Sequence, residues 1–132
     1  MEQLYREIES KFVEDNSGFK TAVLKLHDTY IPQTSKYPCA VRNCISDFSA
    51  DTFTESISRI VLQIDIYTDC DSSGPCHVAL KAAIKFFTGQ IFTPEGLADV
   101  QFIKDRVQHP RREGKLWRGS VDLRAVVQQT EE

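Results

Sequence analysis

The sequence predicts an α+β fold: an antiparallel β-sheet of about four strands with two α-helices packed on one face. Three observations carry this. Ile60, Leu62, Ile64 and Ile66 alternate with Val61, Gln63, Asp65 and Tyr67, the period of a strand with one buried face. After a short polar break, Cys76, Leu80, Ala83, Ile84 and Phe87 fall on one helical face. The periodic segments run helix, strands, helix, strands, an order that suits helices gathered on one side of an antiparallel sheet.

The first helix is expected over residues 3 to 14, where Leu4, Tyr5, Ile8, Phe12 and Val13 recur at helical spacing between charged residues. Asp15, Asn16 and Ser17 favour a turn, and Gly18 supplies a left-handed exit. Residues 19 to 26 read as a short strand. Pro32 and Pro38 mark residues 28 to 38 as a loop, because each removes a donor and biases its predecessor toward an extended backbone. The apolar set Cys39, Ala40, Val41, Cys44 and Ile45 suits a strand, and residues 47 to 58, polar apart from Phe48, Phe53 and Ile57, read as a long connection or flexible arm.

Residues 69 to 74 form the turn before the second helix, with Asp69 and Asp71 as turn and cap residues. Pro75 sits where a first helical residue would be, its missing N–H costing nothing there, and Gly89 closes the helix. Residues 92 to 98 read as a loop and 100 to 107 as a strand. Residues 108 to 115, with Pro110 and Gly114, read as a flexible hairpin loop. In the last strand, 116 to 128, Trp117, Val121, Leu123, Ala125 and Val127 share one face. With the helices on one side, the polar face carrying Gln63, Asp65, Arg118, Asp122 and Arg124 must meet water or another subunit.

The bulk numbers bound the rest. A chain of 132 residues buries roughly 68% of its unfolded surface, enough for one core in one domain spanning residues 1 to 132. Hydrophobic residues at 41% and charged residues at 27% exclude a disordered composition. A net charge of −3 gives no global electrostatic case for nucleic acid or an anionic membrane. No apolar stretch approaches the ~20 residues needed to span a bilayer, and the first ten residues lack the basic start and apolar run of a secretory signal. The expectation is a chain made in a reducing cytosol without a membrane partner.

Reactive residues are scattered. Cys39 and Cys44, five apart in a strand, point to opposite faces, and Cys70 and Cys76 flank a turn at a spacing unlike usual zinc sites. The plain reading is small buried hydrophobes. A disulfide, Cys70 to Cys76 or between subunits, stays open in an oxidising setting, with metal binding after it. His27, His77 and His109 read as surface or capping residues, and no serine or cysteine is placed as a nucleophile. Gly74 alone makes no phosphate loop. No cofactor or catalytic residue is expected. Residues 104 to 118 carry Lys104, Arg106, Arg111, Arg112, Lys115 and Arg118 against Asp105 and Glu113. That excess suits phosphates, a solvated hairpin or, preferably, a basic finger docking on an acidic neighbour, since Trp117 is the one Phe, Tyr or Trp among the charges, too few for a stacking platform.

The stretches "YPCAVRNCIS", "SRIVLQIDIYT", "HVALKAAIKFF" and "LWRGSVDLRAVVQ" together resemble the tail terminator or tail completion proteins of tailed bacteriophages. The likeness rests on the strand, turn and helix around "LQIDIY" and on Trp117, Asp122 and Arg124 in the last strand. It implies a virion protein at the tail–neck junction, assembled in the host cytoplasm. Such a protein forms a homohexameric ring that caps the tail tube, stops its growth and joins the tail to the head. The implied partners are further copies of the chain, the tube protein, a head completion or neck protein, and a sheath protein if the tail is contractile, with DNA only passing through the lumen. Candidate interface residues are then Phe48, Phe53, Asp65, Arg111, Arg112, Arg118, Asp122 and Arg124. A head completion or neck adaptor protein is the near alternative, and a small nucleic-acid-binding module the farther one.

Overall fold

The structure, a computed structural model, describes residues 2–15, 18–28, 31, 36–44, 61–94 and 99–127. Its elements are α1 (Glu2–Val13), α2 (Phe19–Ala22), β1 (Leu26–Asp28), β2 (Cys39–Cys44), β3 (Val61–Thr68), α3 (Gly74–Thr88), β4 (Ile91–Phe92), β5 (Val100–Glu113) and β6 (Leu116–Val127). The α+β class holds, but the expected four-stranded antiparallel sheet with two helices is corrected. Six strands form one curled, half-barrel sheet in the order β1-β2-β3-β6-β5-β4, β1 runs parallel to β2, and there are three short helices among the described residues.

The extra elements lie where the sequence pattern was weakest. Residues 19 to 26, expected as a strand, divide into one helical turn and the approach to β1. Gly18 does take a left-handed conformation, φ 107°, and so turns the chain after α1. Phe19 follows fully buried, and its place in the core, not local propensity, sets the turn. The loop expected at 92 to 98 likewise begins in β4, a two-residue edge strand that pairs Phe92 with Val100.

The largest correction concerns residues 108 to 115. The β5–β6 ladder continues to Glu113 opposite Leu116, leaving only Gly114, at φ 61°, and Lys115 as the turn. Irregular register between Lys104 and Arg106 and between Gln108 and Arg111 accommodates Pro110 without ending the strand. Beyond its two residues beside β4, the outer flank of β5 has no strand partner among the described residues. The adjoining Gly119 leaves room for this detour, because a Cβ there would lie 3.2 Å from both Pro110 Cγ and Leu80 Cδ2.

All three helices contribute to one core against the sheet. In α3, Cys76, Ala79, Leu80, Ala83, Phe86 and Phe87 face inward, against β3, β5 and β6. Its N-cap position falls to Ser73, not to Asp69 or Asp71. Gly89 ends it with an ordinary negative φ of −89°; glycine is needed there because a Cβ would stand 2.6 Å from the Lys85 carbonyl oxygen.

Six of the eight phenylalanines join these pieces. Phe19 lies 5.2 Å from Phe12 and 5.1 Å from Phe86, Phe86 lies 4.9 Å from Phe87, and Phe87 lies 5.6 Å from Phe102, which meets Phe92 at 5.4 Å. Rings from α1, α2, α3, β4 and β5 thus form a continuous cluster, mostly edge-to-face, the arrangement the ring quadrupole favours. Phe87 is fully buried at its centre. Phe87→Ala is expected to cost about 3–5 kcal/mol, read as a lower urea midpoint at unchanged slope.

Candidate functional site

Strand alternation sends Leu62, Ile64 and Ile66 of β3 into the helical core and Gln63, Asp65 and Tyr67 to the second face of the sheet. The sequence expectation was that this second face meets water or another subunit. Its centre is instead dry: Asp65 is 3% exposed, Ser120 2%, Val41 3% and Cys39 0%. Asp65 is therefore corrected from a surface residue to a buried carboxylate.

Around Asp65 a line of polar groups crosses four strands. Asn43 on β2 donates its amide to Asp65 Oδ2 at 3.4 Å, and Arg118 on β6 places Nη2 3.4 Å from the same oxygen. The other Arg118 nitrogen, Nη1, donates to Glu113 Oε1 at 3.4 Å, and Arg111 Nε stands 3.9 Å from that oxygen. The guanidinium carbon of Arg118 also sits 5.9 Å from the centre of the Tyr67 ring. Arg118 and Arg111 are register partners, a like-charged pair that would repel, so Glu113 between them and Asp65 behind supply the compensating charge. Among the described residues, Asp65 Oδ1 and Arg118 Nε are buried without a hydrogen-bond partner.

The electrostatics follow from the burial. Burial pushes the Asp65 carboxyl above the usual carboxylate range, more than Arg118 and Asn43 lower it, with Asp122 adding to the rise. Burial works against the charge of Arg118, but Asp65, Tyr67 and Glu113 overcome it and hold the guanidinium above its ordinary value. The Tyr67 hydroxyl is raised by burial and then by Asp65.

The remaining candidates separate. Asp122 is half-buried and accepts from Gln63 Nε2 at 3.3 Å, opposite Arg106 in register. Arg112 lies toward Trp117, 5.6 Å from the ring centre, and is exposed. Arg124 is exposed toward the other end of β6, in register with Val61 and Ile103. Phe48 and Phe53 lie outside the described residues. Cys70 and Cys76 carry free thiols in the structure. Cys76 and Cys39 do sit as small buried groups. The Cys76 thiol donates to the Ile66 carbonyl at 3.7 Å, tying α3 to β3, and burial raises its pKa.

Two features escaped sequence reasoning. Arg42, within an apolar run, faces the helical side and is only 3% exposed, stacked 3.8 Å over the Tyr5 ring and paired with Asp28 at 3.2 Å. The period-two position beside Ala40 was the available signal. His77 and His109, expected to stand apart, have ring centres 6.2 Å from each other on the exposed surface. Among the described residues, no group of three or more His, Cys, Asp or Glu is placed to hold a metal ion. No described helix is long and apolar enough to cross a membrane.

No family model and no curated protein match the chain. Its fold is similar to that of a solved protein chain, with a TM-score of 0.63, 17% sequence identity and alignment over 100% of this chain and 99% of that one. At that identity the likeness concerns the fold alone.

The buried pair makes stability depend on pH with a definite sign. A carboxyl whose folded pKa is raised favours the folded state when protonated, so its contribution declines as pH rises from the unfolded value, about 4, through the raised one. Unfolding free energy of the native chain minus that of Asp65→Asn is expected to fall across this window. Arg118→Met removes the counter-charge and should cost roughly 2–3 kcal/mol at neutral pH, discounted from a fully buried pair because Arg118 is partly exposed, and less near pH 4. Urea titrations at the two pH values check both signs.

Proposed function

We propose that this chain acts by shape, as the protomer of a homohexameric ring that caps a phage tail tube, ends its polymerisation and joins the tail to the head. The resemblance in "LQIDIY", in the helix after it and in Trp117, Asp122 and Arg124 supports this reading. The structural observation that carries it is the β5–β6 hairpin. Lys104, Arg106, Arg111, Arg112 and Lys115 are all exposed on or at the tip of this ladder. Their presentation is rigid because Arg118 anchors the ladder to β3 through Asp65 and holds Glu113 near its tip. A fixed array of cations suits an acidic rim on the tube or neck protein, where charge complementarity sets orientation and encounter rate.

The tight join of β3 to α3 agrees with the same role. Cys76 bonded to Ile66 and Leu80 packed over Gly119 leave little freedom between strand and helix, as a protomer whose product is geometry requires. In this reading the chain catalyses nothing and resides in the virion at the tail–neck junction.

The exposed cations also favour a second reading, phosphate binding on nucleic acid. One experiment separates the two. Purified chain is added to tail tubes and imaged by negative stain, alongside Arg111→Glu/Arg112→Glu and a DNA-binding titration at two salt concentrations. Capped tube ends, lost at least tenfold in the double variant at unchanged thermal unfolding, are the expected result. Particles that lack the chain yet carry tubes of correct length joined to capsids would overturn the proposal. Salt-sensitive DNA binding without capping would move the assignment to the second reading.

A further inference from the structure

Two histidines far apart in sequence meet on the surface where α3 begins. The ring centres of His77 and His109 stand 6.2 Å apart with their planes at 38°, and both residues are exposed. His77 lies in the first turn of α3, next to Cys76, whose thiol ties that turn to the Ile66 carbonyl of β3. His109 lies in the irregular stretch of β5 between Gln108 and Arg111, where the ladder to β6 is interrupted. Gly119 sets their approach. A Cβ there would stand 3.2 Å from Leu80, three residues beyond His77, and 3.2 Å from Pro110, directly after His109. Both imidazoles are thus carried on fixed backbone while their rings keep access to solvent.

We propose that His77 and His109 form a two-imidazole site for a first-row divalent cation such as copper, nickel or zinc, joining the start of α3 to β5. Neutral imidazole nitrogen is a donor that suits these ions. A metal–nitrogen bond of about 2.0–2.1 Å, with each nitrogen about 1.2 Å from its ring centre, allows two centres on one ion to lie up to roughly 6.5 Å apart, and roughly 5.3 Å apart at a tetrahedral angle. The observed 6.2 Å falls within that reach. Full tetrahedral closure takes about 1 Å of movement by two exposed side chains.

No third His, Cys, Asp or Glu joins the pair among the described residues, so the remaining positions go to water and copper binds more tightly than nickel or zinc. Lys81, one helical turn beyond His77, opposes a nearby cation, whereas the exposed Asp69 and Asp71 on the turn into α3 favour one. Salt damps both effects. The site is independent of the ring reading.

The test titrates metal into the full chain at physiological salt. Calorimetry with Ni2+ is expected to show one ion per chain, and a tenfold excess over the dissociation constant should raise Tm by about 4–7 °C. His77→Ala and His109→Ala should each weaken binding at least tenfold and remove the shift, with metal-free melts matching the native chain. His27→Ala and Cys70→Ser should keep both. Pulsed electron paramagnetic resonance of one equivalent of Cu2+, taken on Cys70→Ser so that this half-exposed thiol cannot compete, should count two imidazoles on the ion. That count needs no destabilised variant. Absence of one-ion binding, a single imidazole on copper, a shift that survives either His77→Ala or His109→Ala, or one lost in His27→Ala or Cys70→Ser overturns the site.

Discussion

The constraint on which the fold depends is that six phenylalanine rings from five elements must share one volume. None of those elements is self-sufficient: α2 has four residues and β4 two, too short to persist alone. Phe19 and Phe92 commit them by filling space against Phe86 and Phe87, and α1 is held by Phe12 in the same cluster. Edge-to-face aromatic pairs add about 0.5–1.5 kcal/mol each beyond the burial of the rings. The helices therefore take their positions from the sheet through α3, whose adjacent Phe86 and Phe87 reach both ways.

With one face committed to that cluster, the opposite face carries the electrostatics. A buried carboxylate is unfavourable unless compensated, and Asp65 obtains partial compensation from Arg118 on the neighbouring strand and Asn43 on the other side. The arrangement then extends outward through Glu113 to Arg111, so charge passes from a dry centre to a wet tip by alternating sign. The geometry of the basic hairpin is in this way tied to the middle of the sheet.

How much was legible in the sequence follows the same division. Where one face was buried and the other polar, as in β3 and β6, alternation exposed the strand and assigned the faces. The helices α1 and α3 were equally plain, because each presents a single apolar stripe. Alternation fades from residue 104 onward, where β5 carries charges on both faces, and its stretch 108 to 113 was read as a loop although 100 to 107 was read as a strand. Short elements fixed by one buried ring, Phe19 or Phe92, carry no period at all. In the candidate site the pattern marked Asp65, Arg118 and Asp122 as one face, but sequence does not report depth, and the buried state of Asp65 and Arg42 emerged only from tertiary packing. The basic character of residues 104 to 118 was visible from composition, whereas the role of Glu113 as the link between two arginines needed the register.

The flank of β5 that no described strand covers has a consequence for how one chain meets another. A long unpaired strand edge is ordinarily a template onto which identical chains can zip by backbone hydrogen bonds. Here the two register breaks throw successive amides out of line, Pro110 deletes a donor, and Lys104, Asp105 and Arg106 place charges along the rim. Such an edge offers a second strand no continuous row of amides and carbonyls with which to pair.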